Sequence, residues 1–390
     1  KQFAIMSIDS HTVFDAGLFD AAASMLVAPV IFFGLPVTLC LLMSWPVGPA
    51  AALALASLAL LPRLLWQTRR PAEGRAFQLA NLIYWNLTYP IFFGSPLLLG
   101  ACCVLRPYLF LPLVGAYAIY IKTVSRPDLN DGAGWEYFSC HDWGLVALRR
   151  FLRLRLHVSA GLLARDSGKP VVIAIHPHGF ASDYRIAMDG LLYAALPGRK
   201  VLTLAASVLF SLPLVRELSL WTRCIDARKK VAARALERAV SLMVVPGGEA
   251  EQMRTQTGIE AVFLQKRLGF VKLAMQHGAA LVPCYAFGTT DLYDVTPAQH
   301  QANSQGFLWR LSKKYGVAMP RYQGSFGFMP KRTPVDLVFG EPFEPTCATK
   351  NQPTDGEVVA AHTEYVATLR HLFDAHKAAL GFADRELIVT

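Results

Sequence analysis

Two apolar stretches, Met25 to Met43 and Val47 to Leu65, are separated only by the turn-like Ser44-Trp45-Pro46. Each is about long enough to cross a hydrocarbon core of roughly 30 Å, and together they read as a helical hairpin. Leu82 to Leu105 and Tyr108 to Ile121 repeat the arrangement around Arg106-Pro107. The last stretch is short and Pro90 and Pro96 interrupt the third, so re-entrant or interfacial packing fits this pair as well. Basic residues follow both pairs: Arg63, Arg69, Arg70 and Arg75 after the first, Lys122 and Arg126 after the second. By the positive-inside rule both flanks are cytosolic, and an even number of crossings keeps everything beyond Arg126 on that side.

Beyond residue 165 the pattern changes to short β-branched runs alternating with helical periodicity, the signature of an α/β layer fold. Val171 to Ile175, Val201 to Ala205, Leu242 to Val245, Ala280 to Phe287 and Val335 to Phe339 read as strands. Tyr184 to Ala195, Leu214 to Trp221, Lys229 to Ala239, Gly269 to His277, Gly306 to Tyr315 and Thr363 to Leu380 read as helices. The chain thus divides into an N-terminal segment (1–24), membrane-embedded hairpins (25–124) and a cytosolic α/β domain (125–390) built on a mixed sheet flanked by helices.

Composition agrees with a membrane component. Hydrophobic residues make up 53% of the 390 residues, charged residues only 17%, and mean hydropathy is +0.34, a combination seldom met in soluble proteins. The net charge of +10 comes from dispersed cations with no nucleic-acid motif, so a bilayer surface is the expected partner and nucleic acid is not. The densest run, Arg149, Arg150, Arg153 and Arg155, alternates with Leu148, Phe151, Leu152, Leu154 and Leu156. It reads as an interfacial basic helix near 145–158, or as a domain-surface helix with one solvated face. The seven cysteines are scattered without a CxxC pair, which points to reduced thiols and away from structural zinc.

Four segments carry candidate chemistry. His176-Pro177-His178-Gly179, with Asp183 following, stands directly after a buried strand. An imidazole oriented by a carboxylate can take a proton from an alcohol as that alcohol attacks an acyl carbonyl. No G-x-S-x-G elbow or cysteine equivalent competes as covalent nucleophile, so transfer would be direct. A strand-end histidine closing a turn, with Asp183 as N-cap, accounts for the same spacing. A His-x-His metal site is a third reading, with further ligand clusters missing. Val245-Pro246-Gly247-Gly248-Glu249-Ala250-Glu251 is a second strand end, whose glycines allow close backbone approach and N–H donation to an oxyanion. Glu249 or Glu251 there would bind acceptor hydroxyls or brace a loop. In the third segment, Lys266, Arg267 and Lys272 offer cations to the phosphates of coenzyme A, or form an ordinary solvated helix start. Gly340-Glu341-Pro342-Phe343 reads as a strand stop.

Taken in order, these segments resemble the type-2 diacylglycerol acyltransferase family, which includes monoacylglycerol and wax-alcohol acyltransferases. The resemblance runs from about Trp135 to the C-terminus. It is carried by His176-Pro177-His178-Gly179, Pro213-Leu214-Val215-Arg216-Glu217, Val245-Pro246-Gly247-Gly248 and Gly269-Phe270-Val271-Lys272-Leu273-Ala274. It continues through His277-Gly278-Ala279, Leu281-Val282-Pro283, Phe287-Gly288, Gly340-Glu341-Pro342 and Leu372-Phe373-Asp374-Ala375-His376-Lys377. The resemblance implies a glycerolipid acyltransferase-like fold and an endoplasmic-reticulum enzyme, also placed at lipid droplets. It would move an acyl group from acyl-CoA, a co-substrate with no further cofactor or metal, to diacylglycerol or a related neutral lipid alcohol. It implies His178 as general base, Asp183 as its orienter and His176 as a positioning residue. Pro177, Gly179, Gly247 and Gly248 would shape the pocket, with Glu249 and Arg216 as supports. Homo-oligomerisation is left open.

Two features depart from the family pattern. Its members commonly show one N-terminal hairpin, and this chain reads as two. Asp183 makes the site resemble the H-x-x-x-x-D of glycerophosphate and lysophosphatidate acyltransferases, the alternative activity. Those enzymes typically follow the second strand with Pro-Glu-Gly-Thr-Arg, whose arginine meets the acceptor phosphate; here Pro246-Gly247-Gly248-Glu249-Ala250 replaces the cation with an acidic segment. A carboxylate near a phosphate is repulsive, so a neutral acceptor is favoured. A membrane-anchored lipid-binding scaffold without catalysis is the reading from a different class.

Overall fold

The computed structural model describes residues 5–9 and 99–390, apart from 214, 316–317, 319 and 326–328. The first apolar pair and the third stretch up to residue 98 lie outside the described residues, as do Arg63, Arg69, Arg70 and Arg75. The fourth stretch is helix α1 (Pro107–Ile119), prolonged by a wide turn over Tyr120–Val124. Pro107 starts it, where a missing N–H breaks no intrahelical bond. Tyr108, Leu111, Leu113 and Ile119 are all more than half exposed. Among the described residues this is a continuous open apolar surface. Among the described residues, Pro107–Leu129 is the one helical segment long and apolar enough to cross a membrane.

The remainder folds around a sheet. In chain order the elements are β1 (Ile5–Asp9), α2 (Glu136–His141), α3 (Trp143–Phe151), β2 (Arg155–Ser159), α4 (Ala160–Ala164), β3 (Val171–His176), α5 (Asp183–Ala195), β4 (Val201–Ala205) and α6 (Val215–Trp221). They continue with β5 (Cys224–Asp226), α7 (Lys229–Glu237), β6 (Ser241–Val244), α8 (Gly248–Gln252), β7 (Ala261–Val262), α9 (Gly269–Gln276) and β8 (Ala280–Phe287). Last come α10 (Pro297–Gln305), α11 (Phe307–Tyr315), β9 (Asp336–Phe339), α12 (Asp355–Lys377) and β10 (Ile388–Val389). The main sheet has the order β1-β2-β9-β8-β3-β6-β4-β5, and β7 and β10 pair separately. Contacts β1–β2 and β8–β9 are antiparallel and the others parallel, giving the mixed sheet expected.

Both faces of the sheet are covered. Val171, Ile173 and Ile175 pack with α3 and α5, while Val172 and Ala174 pack with α7, α9 and α12. This is why β3 and β8 read as continuous apolar runs rather than alternating ones. Each fully buried aliphatic side chain contributes about 1.5–3 kcal/mol.

Two sequence expectations are corrected here. The basic run is not one interfacial helix over 145–158: α3 ends at Phe151 and Arg155–Ser159 is a strand, its register set against β9 from Arg155–Asp336 to Val158–Phe339. Leu148, Phe151, Leu152, Leu154 and Leu156 all lie in the core. Arg149 is buried as well, its guanidinium donating to the carbonyls of Ser139 and Cys140. Arg149 therefore holds local structure, and Arg155 and His157 converge on Asp336. The last helix begins at Asp355 rather than Thr363, because Thr354 and Glu357 form a capping box that starts it earlier.

Candidate active site

β3, β6 and β8 run parallel, so their carboxyl ends open on one edge of the sheet. The chain leaves β3 toward β4 and β5, returns through β6 to one side of β3, and later adds β8 on the other. β3 is thus a topological switch point, where open α/β sheets form their crevice. His178 stands just past its end.

His176 and Pro177 are joined by a cis peptide bond, and Gly179 and Ser182 both have left-handed backbones, with φ of 68° and 53°. The turn wraps the His178 ring. Nδ1 of His178 lies 3.1 Å from the Gly179 carbonyl oxygen and 3.1 Å from Ser182 Oγ. A carbonyl oxygen only accepts, so Nδ1 carries the proton of the neutral ring and Nε2 keeps its lone pair. The ring is half-buried, and burial lowers its pKa from the usual 6.5. Ser182 Oγ also lies 3.4 Å from Nε2, and a neutral imidazole with its lone pair on Nε2 is the form a general base requires.

Glu251 holds this loop from α8, the short helix after the neighbouring strand β6. Its buried carboxylate accepts the backbone N–H of His178 and, at 2.6 Å, that of Phe263. Burial raises its pKa to about 7, against the two amide bonds and Arg267, which lower it. Gly247 exists for this contact: a Cβ there would lie 2.1 Å from Glu251 Oε2, although its φ of −62° suits any residue. Gly248 has a different reason, a φ of 54° with open space around it. Its N–H is donated to the Val245 carbonyl, so it closes the turn rather than facing an oxyanion.

Asp183 is not brought to His178. Its buried carboxylate accepts at 2.5 Å from Tyr293, whose ring packs against Phe180 and Tyr322, and burial pushes its pKa up to about 6. The hydrogen bonds of the His178 ring go instead to Gly179 and Ser182. Asp183 opens α5 as its first residue, with Ser182 at the N-cap position. His176 points to the other face of the sheet. Tyr365 of α12 donates to the Ala174 carbonyl at 3.2 Å, so His176 Nε2 is the donor to the tyrosine oxygen at 2.9 Å. Burial drops its pKa to about 3, which keeps it neutral and outside any proton chemistry near pH 7.

The remaining candidates separate by position. Pro177 is buried, its carbonyl accepting from Tyr184 at 2.8 Å. Arg267 donates to the Gly247 carbonyl at 3.2 Å and so borders the crevice. Glu249 accepts from Ser312 and braces α11. Lys266 is exposed ahead of α9, and Lys272 pairs with Asp355 at 2.8 Å. Arg216 is bound to Ser125 and Glu217. Sequence reasoning singled out neither Ser182, Tyr293 nor Tyr365; the spacing from Gly247 to Glu251, one helical turn, is the signal that marks the brace.

A neutral histidine at the β3 switch point, opposite a Gly-Gly strand end, can chemically accept a proton from an alcohol. Residues 111–390 match the family model described as diacylglycerol acyltransferase. The chain is 31% identical over 322 residues to diacylglycerol O-acyltransferase 1 of Schizosaccharomyces pombe, covering 76% of this chain and 89% of that one. It is 32% identical to acyl-CoA wax alcohol acyltransferase 2 of Mus musculus, over 56% of this chain and 69% of that one. A crystal structure of the 1-acyl-sn-glycerophosphate acyltransferase PlsC from Thermotoga maritima matches with a TM-score of 0.37 at 17% identity, over 74% of this chain and 95% of that one, too distant to bear on the site. The chain belongs to the diacylglycerol acyltransferase family and is an acyltransferase.

Proposed function

We propose that this chain is an acyl-CoA-dependent O-acyltransferase that converts diacylglycerol to triacylglycerol, with His178 as general base. The observation that carries the reading is the half-buried His178 ring, its Nδ1 committed to the Gly179 carbonyl and its Nε2 left as acceptor. In the forward step the acceptor hydroxyl gives its proton to Nε2 while its oxygen attacks the thioester carbonyl. The tetrahedral intermediate then expels the coenzyme A thiolate, which takes the proton back from the imidazolium, leaving the ester and free coenzyme A. Arg267 supplies a cation at the rim for the coenzyme's phosphates.

In this reading α1 is embedded in the bilayer of the endoplasmic reticulum and the α/β domain lies on its cytosolic face. The test incubates membranes containing the chain with one labelled acyl-CoA and a mixture of diacylglycerol, monoacylglycerol, long-chain alcohol and lysophosphatidate. Labelled triacylglycerol is the expected product. Phosphatidic acid without triacylglycerol would overturn the proposal.

A further inference from the structure

We infer that Arg216 and Glu217 latch the apolar helix α1 to the edge of the sheet that carries His178, so that the acceptor lipid reaches the imidazole from the bilayer. The inference rests on the proposed function. β4 runs parallel to β6, which runs parallel to β3, so the exit of β4 lies on the same edge as the loops of His178 and Gly247. A 3-10 turn over Ser207–Ser211 leads from that exit to α6, which starts at Val215.

Arg216 is only 4% exposed. Its Nη2 donates to the carbonyl of Ser125 at 2.9 Å and to Ser125 Oγ at 3.1 Å, and its Nη1 donates to Glu217 Oε1 at 2.8 Å. The same Oε1 accepts the hydroxyl of Tyr117 at 2.8 Å. Tyr117 lies within α1, and Ser125 closes the turn that ends it, its N–H bonded to the Tyr120 carbonyl at 2.9 Å. Two attachment points separated by roughly 10 Å of helix fix tilt as well as height, which a single point would not. A buried guanidinium cannot release its acceptors without leaving unsatisfied donors, so the latch is stiff. The exposed faces of α1 are apolar, and the latch supplies a polar tie to the domain. The sequence segment that looked like a substrate support is therefore a positioning device: it sets the crevice of His178 against the membrane that holds α1.

The test uses the full chain reconstituted in phosphatidylcholine vesicles containing dioleoylglycerol, with Tyr117→Phe, Glu217→Ala and the double variant. The latch predicts a KM for bilayer dioleoylglycerol raised about threefold to tenfold in each single variant, with kcat and the KM for acyl-CoA unchanged. The double variant should be no worse than the worse single one, since both cut the same link. Hydrogen exchange at the Ser125 amide, which needs no turnover, should quicken in every variant. Unchanged exchange, or a fall in kcat with both KM values unmoved, would overturn the latch. Wild-type vesicles that make no triacylglycerol would instead sink the proposed function, and exchange at Ser125 would still decide the latch.

Discussion

Glu251, on the short helix after β6, accepts the backbone N–H of His178, on the loop after β3. The position of the imidazole thus depends on a carboxylate from a different strand end, and the same carboxylate holds Phe263. Removing any part of this bridge should move the base.

Glu251→Ala leaves two half-buried amides without an acceptor. Each such loss costs about 1–3 kcal/mol, and a displaced base of this kind lowers a rate by up to about 100-fold. Denaturant unfolding and transfer rate measured on the same preparation should fall together. A full rate at reduced stability would show that the loop is held by something else.

The adjacent glycines should fail for different reasons. Gly247→Ala drives a methyl into the Glu251 carboxylate, so it should reproduce the rate loss of Glu251→Ala. Gly248→Ala meets open space and costs only its left-handed backbone, about 1–2 kcal/mol of stability. A smaller rate loss for Gly247→Ala than for Gly248→Ala would contradict the close-approach argument.

Asp183→Asn tests the separation of Asp183 from His178. Its folded pKa, about 6, lies above the ordinary 3.8 because the carboxyl is buried. Below about pH 4 the acid is neutral in both states and the variant should match the wild type. As pH rises from about 4 to 6, the unfolded carboxyl ionises while the buried one keeps its proton, so the wild type loses stability relative to asparagine, to a plateau of about 3 kcal/mol. Melting curves across that range measure the difference. Transfer should stay within a few-fold of wild type, since no hydrogen bond of the His178 ring reaches Asp183. Abolished transfer in a folded variant would restore the orienting role.

The acid limb of kcat/KM should reflect His178. Burial lowers its pKa, so the neutral, proton-accepting form persists below pH 6.5 and activity is lost only at more acid pH. A limb centred above pH 6.5 would mean the rate follows another group.

Much of this fold is legible in the chain. β4 and β8 end where their β-branched runs end, because strands buried on both faces leave no other residues to read. β2 was hidden because Leu154, Leu156 and Val158 alternate inside a basic run whose leucines also suit a helix. Its arginine and histidine are explained only by Asp336, a partner 181 and 179 residues away. The site divides in the same way. His178 and the Gly-Gly pair follow from strand ends and local turn chemistry. The fate of Asp183 does not, because spacing alone cannot say that Tyr293, 110 residues on, reaches it instead of His178. Arg216 likewise looks like an anion binder until Ser125, 91 residues earlier, is found against it.

The most direct measurement is the transfer rate of His178→Gln in membranes, with labelled acyl-CoA and diacylglycerol at saturating concentrations and the variant's fold and membrane association verified. Loss of the base should lower the rate about 100-fold to 10,000-fold. A folded, membrane-bound His178→Gln chain that makes triacylglycerol at the wild-type rate would contradict the account.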